Sequence, residues 1–512
     1  KLIISAECST FNMTRMAKNG LFATVIAPWQ EALGKDVVIT DTPVCGLRWN
    51  ENGATVTTTT VTTTTVNNAI FSAPLVILAV PLGVLKHWVT EKMVVSPDLP
   101  ACLAGPIDRL GFGVENKVIL RFDAGSEIAR ELSASNHDIF HTDDARFRRW
   151  AKGGDSRTVF CFDTAVQDGL ANEDSTDTRD EANAVLHRML GIVDVEPPAA
   201  FHVTRWQDDE YTRGAYSFMR AGSTLDDFHD LGKHHDECPA IVLAGEHCLS
   251  DGNGSEGTMH SAIKSGVHAA ELALGSKQLD KQPDDGTDYT HDVIIVGGGL
   301  AGMSAASVLK RNGRDLRVVL IEAKSQCGGR VCSGTCGPGG EKVLARLRSP
   351  TPAANGSPKR KRRRACRRGA SGAVDVDFGA SFVMQDFVQA LQKARPSQGL
   401  GGEVLRSVRI KAVWLSSRSG SSSRAAGQGQ EIKAEEVIRA KKALTKLVKS
   451  ACKLDRIDDS FGAAIDEAKS TGAVKGNSYN AAILNTLLRY EYAYVCTPDE
   501  LSLRGVKETI SS

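Results

Sequence analysis

The chain has almost no net charge: 62 Lys and Arg residues stand against 61 Asp and Glu, a formal +1 over 512 residues. No global field gathers nucleic acid, so any electrostatic contact must come from a local patch. Long apolar runs are missing too. The most apolar stretch, AIFSAPLVILAVPLGVL at 69–85, falls short of a bilayer span and holds two prolines, so it reads as buried strand and turn, with no membrane partner. The first residues show no secretory n-region/h-region pattern. The twelve cysteines follow no recurring frame. Cys327, Cys332 and Cys336 come nearest to a cluster, but their spacing fits no zinc knuckle or CxxC pair. His247 and His260 lack a matching ligand set, so no metal is expected. Reduced thiols in an intracellular protein, cytoplasmic or nuclear, are the expectation.

What is present is ordinary globular composition, 41% apolar and 24% charged, with length for two to four domains' worth of core. GLFATVIAPWQEALG reads as a helix and VVITDTPV as a strand. GATVTTTTVTTTTV at 53–66 is low in complexity but β-branched, which predicts an exposed β-ribbon. AIFSAPLVILAV and KVILRF read as strands, DEANAVLHRML as helix, FHVTRW, GAYSFM and AIVLAGE as strands, and SAIKSGVHAAELAL as helix. Residues 276–290 are polar and nearly devoid of apolar side chains, the best linker in the chain. Residues 331–374 read as a low-complexity insertion containing KRKRRRACRR, Lys359 to Arg368, eight of whose ten residues are basic. That run is either a solvated charged loop or a patch for nucleic acid or an import receptor. Residues 430–495 are helical in pattern.

At 291–323, HDVIIVGGGLAGMSAASVLKRNGRDLRVVLIEA runs apolar strand, glycine turn, helix, second strand, carboxylate. Gly297, Gly299 and Gly302 fit GxGxxG: a tight turn, close backbone approach to a pyrophosphate, and helix-on-strand packing. The helix start at Leu300 and Ala301 offers free N–H groups and a positive dipole end to phosphates. Glu322, twenty residues after Gly302, can accept hydrogen bonds from both ribose hydroxyls. A Rossmann-type dinucleotide site is predicted. SQCGGRV follows at once, and its Gly328, Gly329 and Arg330 can approach the pyrophosphate and flavin side of an extended dinucleotide.

Here the sequence resembles the flavin amine oxidases: monoamine oxidases, polyamine oxidases and flavin-dependent histone lysine demethylases. The E-A-x-x-x-x-G-G-R run is followed, beyond the basic insertion, by VDFGASFV, Asp377 to Val383, similar to the family's D-x-G-A-S segment. Other blocks resemble the family's later part: SAPLVILAVPLGVLK at 72–86, RLGFGVENKVILRF at 109–122, RWQDDEYTRGAYSFMRAG at 205–222, and LAGEHCLSDGNGSEGTMHSAIKSGVHAA at 243–270. RYEYAYVCTPDELSL at 489–503 is similar to a mid-family segment. The family's order is inverted here, through circular permutation or through a cut across a tandem array. The Lys start and the abrupt ETISS end favour the array.

The resemblance implies an α/β fold: a Rossmann-type FAD-binding domain on a mixed sheet plus an α+β substrate-binding domain, amine oxidase-like and circularly permuted. Residues 1–275 would supply the family's C-terminal portion, 291–330 the Rossmann opening, and 375–512 the remaining FAD contacts and a helical substrate domain. It implies FAD, held without a covalent bond because no cysteine occupies the linking context. Lys117 would hold a water against the flavin and assist reoxidation, although on residues alone it reads as a strand-end surface lysine. Trp206 would pack beside the flavin and Tyr216 would form one wall of the amine pocket, although both could be core aromatics. Glu246 would accept ribityl or phosphate-side hydroxyls, Thr258 and Met259 would present a helix start to the flavin, and Val44 would hold adenine through its backbone. Glu491 reads as a solvated or salt-bridged face, or as an attractor for a second ammonium. The implied activity is oxidation of a primary or secondary amine, polyamine-like, to an imine, with oxygen becoming hydrogen peroxide. A histone lysine demethylase-like oxidase and a catalytically silent flavin-binding module are the alternatives. The module is favoured by the insertion after GGR, the long SDGNGSE loop, and LRGVKETISS in place of the family's Trp-Asp turn.

Overall fold

Four short runs of the chain are apolar at every position: Leu75–Leu78, Ile241–Leu243, Val293–Val296 and Val318–Ile321. Such runs suit strands covered on both faces, the setting of parallel sheets. The computed structural model describes residues 13–14, 20–61, 66–91, 94–135, 138–142, 144, 146–147, 149–153, 155, 157–163, 174–248, 256–282, 286, 288–311, 315–344, 376–377, 383–394, 412–415 and 463. In it the four runs pair in one five-stranded parallel sheet, in the order Ile241–Leu243, Leu75–Leu78, Val293–Val296, Val318–Ile321, Val38–Ile39. The two strands that follow residue 290 lie between strands that precede residue 275. Neither segment alone completes the sheet.

Successive side chains of these strands enter opposite cores. Leu75, Ile77, Val293, Ile295 and Leu320 pack with the helices Leu300–Arg311, Met259–Gly275 and Gln385–Ala394 and with the helical stretch from Phe22 to Leu33. Val76, Leu78, Ile294, Val296 and Ile321 pack with the helices Leu82–Glu91, Ala101–Arg109 and Leu225–Leu231. Each such buried Leu or Ile contributes about 1.5–3 kcal/mol. The helices Met259–Gly275 and Leu300–Arg311 meet almost backbone to backbone: a Cβ on Gly266 would fall 2.0 Å from the Ala301 carbonyl oxygen.

A second sheet has six strands, Ala200–Val203, Asn116–Arg121, Thr158–Asp163, Arg149–Lys152, Ile139–Thr142 and Ala412–Leu415, antiparallel except for the last pair. One face, with Val118, Leu120, Trp150 and Val159, packs on the helix Ser175–Leu190. That helix starts where the Asp174 side chain accepts from the Thr176 amide, and stops at Gly191, left-handed at φ 73°. The other face carries Ile119, Ile139, Phe160 and Phe162 together with Trp206 and Cys332. No helix among the described residues is long and apolar enough to cross a membrane.

Several expectations change. The Thr/Val tract forms the hairpin Ala54–Val61 and Val66–Ala73, but Ala54, Val56 and Thr58 are buried, so this ribbon has one covered face rather than two exposed ones. Trp206 lies in a turn, and Tyr216 just precedes the two-residue strand Ser217–Phe218; neither is within a strand. The described part of the linker is docked: Gln278 donates to the Glu51 and Asn52 carbonyls, and the Tyr289 hydroxyl donates to Asn52. The insertion expected from 331 opens with paired strands, Ser333–Cys336 and Lys342–Leu344, with Val376–Asp377 on the other side. The basic run Lys359–Arg368, Glu491, nearly all of the 430–495 helical pattern, and Phe378–Phe382 of the DFGAS segment lie outside the described residues.

Candidate functional site

Ligands of open α/β sheets sit beyond the carboxyl ends of the strands, and four strands of the parallel sheet deliver chemistry there. Val293–Val296 runs into Gly297, Leu75–Leu78 into Ala79, Ile241–Leu243 into Glu246 and Val318–Ile321 into Glu322. Gly297 has φ 106°, and a Cβ on it would lie 2.6 Å from the Ala79 oxygen. A Cβ on Gly302 would lie 1.9 Å from the Gly297 oxygen, so the helix must begin tight against the turn. Gly299 differs. Among the described residues, no neighbouring segment comes within 4 Å of the Cβ position there, and a Cβ on Gly329 would meet only the Gly299 Cα, at 3.7 Å. The two glycines border open space that a flat polar group can approach, at the start of the helix Leu300–Arg311.

Glu322 is buried, and its carboxylate accepts from the Gly298 amide at 2.7 Å and the Lys324 amide at 2.9 Å. Burial pushes its carboxyl above the usual range. Remaining lone pairs can accept ribose hydroxyls. The segment entering Val44 is tied to the same corner: the Thr42 amide donates to the Glu322 carbonyl and the Asp41 amide to that of Lys324. Val44 itself begins the strand Val44–Trp49 and is half-buried.

Gly328 is fastened to the glycine turn through its amide, 2.8 Å from the Gly298 carbonyl. Arg330 then reaches across: its Nη1 donates to Glu246 Oε1 at 2.9 Å and to the Ala215 carbonyl at 2.7 Å. Glu246 is 4% exposed and also accepts from the Ser217 hydroxyl at 2.5 Å and the Gly257 amide at 3.0 Å. Burial alone would raise its carboxyl; the Arg330 guanidinium and the Ser217 hydroxyl help to outweigh that and hold it below the usual range. Thr258 caps the helix Met259–Gly275, its hydroxyl accepting from the Ser261 amide, so Thr258 and Met259 stand one and two residues beyond Gly257. His247 is fully buried and neither ring nitrogen is hydrogen-bonded among the described residues; burial brings its pKa down to about 4, leaving it neutral at pH 7.

Lys117 is 5% exposed, not the surface residue that its strand position alone suggests. It shares the parity of Ile119 on its strand, and its Nζ stands 5.0 Å from the Phe160 ring centroid and 5.7 Å from that of Phe162. Trp206 is on the same side of the sheet, with the Lys342 ammonium 5.5 Å over its ring. A cavity of about 60 Å³ lies between Trp206, Cys332, Lys342 and the Lys324–Gly329 turn. The Tyr216 hydroxyl donates to Glu115 at 2.8 Å. Asn116 holds these parts together: its carbonyl oxygen accepts from the Trp206 amide at 3.0 Å and its amide donates to Gln207 at 2.9 Å. Sequence reading passed over Asn116. The signal was an amide beside Lys117 in a strand that otherwise turns apolar.

Glycine turn, ribose-range carboxylate and open helix start define an α/β protein that binds a dinucleotide. A family model described as flavin containing amine oxidoreductase matches residues 6–274, and one described as an NAD(P)-binding Rossmann-like domain matches residues 295–360. The first covers over half of the chain, which therefore belongs to the flavin containing amine oxidoreductases. The chain is 28% identical over 225 residues to lysine-specific histone demethylase 1 homolog 1 of Oryza sativa subsp. japonica, covering 42% of this chain and 25% of that protein. It is 30% identical over 224 residues to polyamine oxidase 2 of Arabidopsis thaliana, covering 43% and 41%. A putrescine oxidase solved with putrescine is 22% identical, with 48% and 51% coverage and a TM-score of 0.37. The chain spans less than half the length of these two curated relatives. The cofactor is FAD held without a covalent bond, and the open face at Gly299 and Gly329 fits its pyrophosphate.

Proposed function

We propose that the chain is an FAD-dependent amine oxidase acting on a primary or secondary amine of polyamine type. The observation that carries this is the burial of Lys117 among Phe160 and Phe162, on the sheet side that holds Trp206. FAD, when bound, would accept a hydride, which carries both electrons, from the amine carbon while the nitrogen loses a proton, and would pass the two electrons to oxygen, which becomes hydrogen peroxide; water hydrolyses the imine to aldehyde and amine. Gly297, Gly299, Leu300, Ala301, Gly302, Gly328 and Gly329 would bind the pyrophosphate by backbone, Glu322 the adenosine ribose and Val44 the adenine. Glu246, Thr258 and Met259 would meet the ribityl and ring end, with Arg330 fixing Glu246. Lys117 would hold a water at the ring, Trp206 would exclude bulk water, and Tyr216 would wall the amine site with a π-face.

A lysine demethylase-like reading stands second, favoured by the similarity to the rice demethylase homologue. The inverted order of the segments 1–275 and 291–512 relative to the family is part of the proposal, supported by their interleaving in one sheet. So is a nuclear-import or nucleic-acid role for Lys359–Arg368. Anaerobic mixing with spermine, N-acetylated polyamines and a methyl-lysine peptide tests the activity. Bleaching by a polyamine supports the first reading and bleaching by the peptide alone the second; a flavin left oxidised by all three supports the silent module.

A further inference from the structure

Away from the residues that would hold FAD, the second residue of the helix Ala101–Arg109 meets the loop that follows the helix Leu225–Leu231. Cys102, His235 and Glu237 each place a ligand atom within 4.8 Å of the others. Cys238, fully buried, follows Glu237 directly and places its thiol beside Cys102. One thiol, an imidazole and a carboxylate therefore converge from two elements, with a second thiol, Cys238, beside Cys102.

The imidazole is prepared for a metal. His235 Nε2 lies 2.7 Å from the Asp230 carbonyl oxygen, which can only accept. Nε2 therefore donates there, which leaves Nδ1 as the ring nitrogen that an ion could take. This is the bracing that metal-ligating histidines receive, a second ring nitrogen donating to a carbonyl. The loop is braced as well. The Cys238 amide donates to the His235 carbonyl at 3.1 Å, and His234 Nε2 lies 2.8 Å from the Pro239 carbonyl. Cys102 and His235 are half-buried and Glu237 is exposed, so an ion can enter from solvent.

We propose that Cys102, His235, Glu237 and Cys238 form a zinc-binding site that clamps the helix Ala101–Arg109 to the loop after the helix Leu225–Leu231. The three clustered donors, completed by the Cys238 thiol, would make a borderline-soft set that suits tetrahedral Zn²⁺. The other end of the same helix pair is already tied, since Arg109 Nη2 lies 2.5 Å from Asp227, the residue that completes the capping box of Leu225–Leu231. A metal at Cys102 would fix the second end.

The test uses the full chain, reduced, stripped with a chelator and titrated anaerobically with Co²⁺ and then Zn²⁺. Expected are one equivalent of Co²⁺ per chain, a thiolate-to-cobalt charge-transfer band with tetrahedral d–d absorption, and its displacement by Zn²⁺. Cys102→Ser should weaken both the band and the binding, and His235→Gln and Glu237→Gln should each weaken binding by roughly tenfold or more. The last two alter partly or fully exposed side chains, so they report even where Cys102→Ser fails to fold, as judged by circular dichroism. Absence of stoichiometric Co²⁺ binding, binding without a thiolate band, or binding unchanged in His235→Gln and Glu237→Gln would overturn the proposal. So would a Cys102–Cys238 disulfide that withstands the reductant. The outcome is independent of flavin content.

Discussion

Arg330 Nη1 lies 2.9 Å from Glu246 Oε1, joining the turn after the Val318–Ile321 strand to the end of the Ile241–Leu243 strand. The pair links two segments separated by 84 positions at the edge of one sheet. Glu246 is buried, so its charge depends on this guanidinium and on Ser217 and Gly257.

Removing one partner strands the other. Arg330→Leu should destabilise the fold by about 3–5 kcal/mol, because an ionised carboxylate is left in a low dielectric. Glu246→Gln should cost less, and Arg330→Leu combined with Glu246→Gln should recover part of the loss. Urea midpoints of the four proteins measure the coupling; strict additivity would count against it.

The glycines separate folding from cofactor binding. Gly302→Ala places a Cβ 1.9 Å from a carbonyl oxygen and should unfold or strongly destabilise the protein. Gly299→Val meets no neighbouring segment within 4 Å of its Cβ among the described residues and should fold normally while binding FAD at least roughly tenfold more weakly. Thermal midpoint and flavin fluorescence read the two effects. A Gly299→Val protein with full flavin content would mean that the open face is not the pyrophosphate site.

Stability should fall as pH drops from about 6.5 towards 4. His247 is held neutral, with its pKa down at about 4, so between these values the unfolded chain binds more protons than the native one. The loss is on the order of 2–3 kcal/mol. Glu246, held low, adds a further loss at still lower pH. His247→Phe should flatten the upper part of the profile, measured as denaturant midpoint against pH; an unchanged slope would acquit His247.

Lys117→Met keeps the length and the apolar contacts with Phe160 and Phe162. It should retain FAD, while oxygen-dependent reoxidation slows by about 10²-fold. Stopped-flow reoxidation measures this, and an unaltered rate would remove Lys117 from the chemistry.

The glycine turn and its strands were legible because local spacing carries them: an apolar tetrad, GxGxxG and a carboxylate at a fixed remove. The partnership of Glu246 with Arg330 was not, since it is made by sheet order rather than spacing. Lys117 misled for a related reason. Local pattern leaves it at a strand end, but Thr158–Asp163 packs beside that strand and the position is buried. The Thr/Val ribbon acquired a covered face for the same reason, because Val56 and Thr58 enter a core built by distant segments. The Cys102 cluster is the extreme case, with Cys102 and His235 standing 133 positions apart and no motif to announce it.

The central claim is that the segments before 275 and after 290 build one flavin site. Absorbance and released-FAD stoichiometry of the purified full chain, after incubation with FAD and desalting, test it most directly. One FAD per chain, freed by denaturation, is the expected result. A folded protein that takes up no flavin would contradict it.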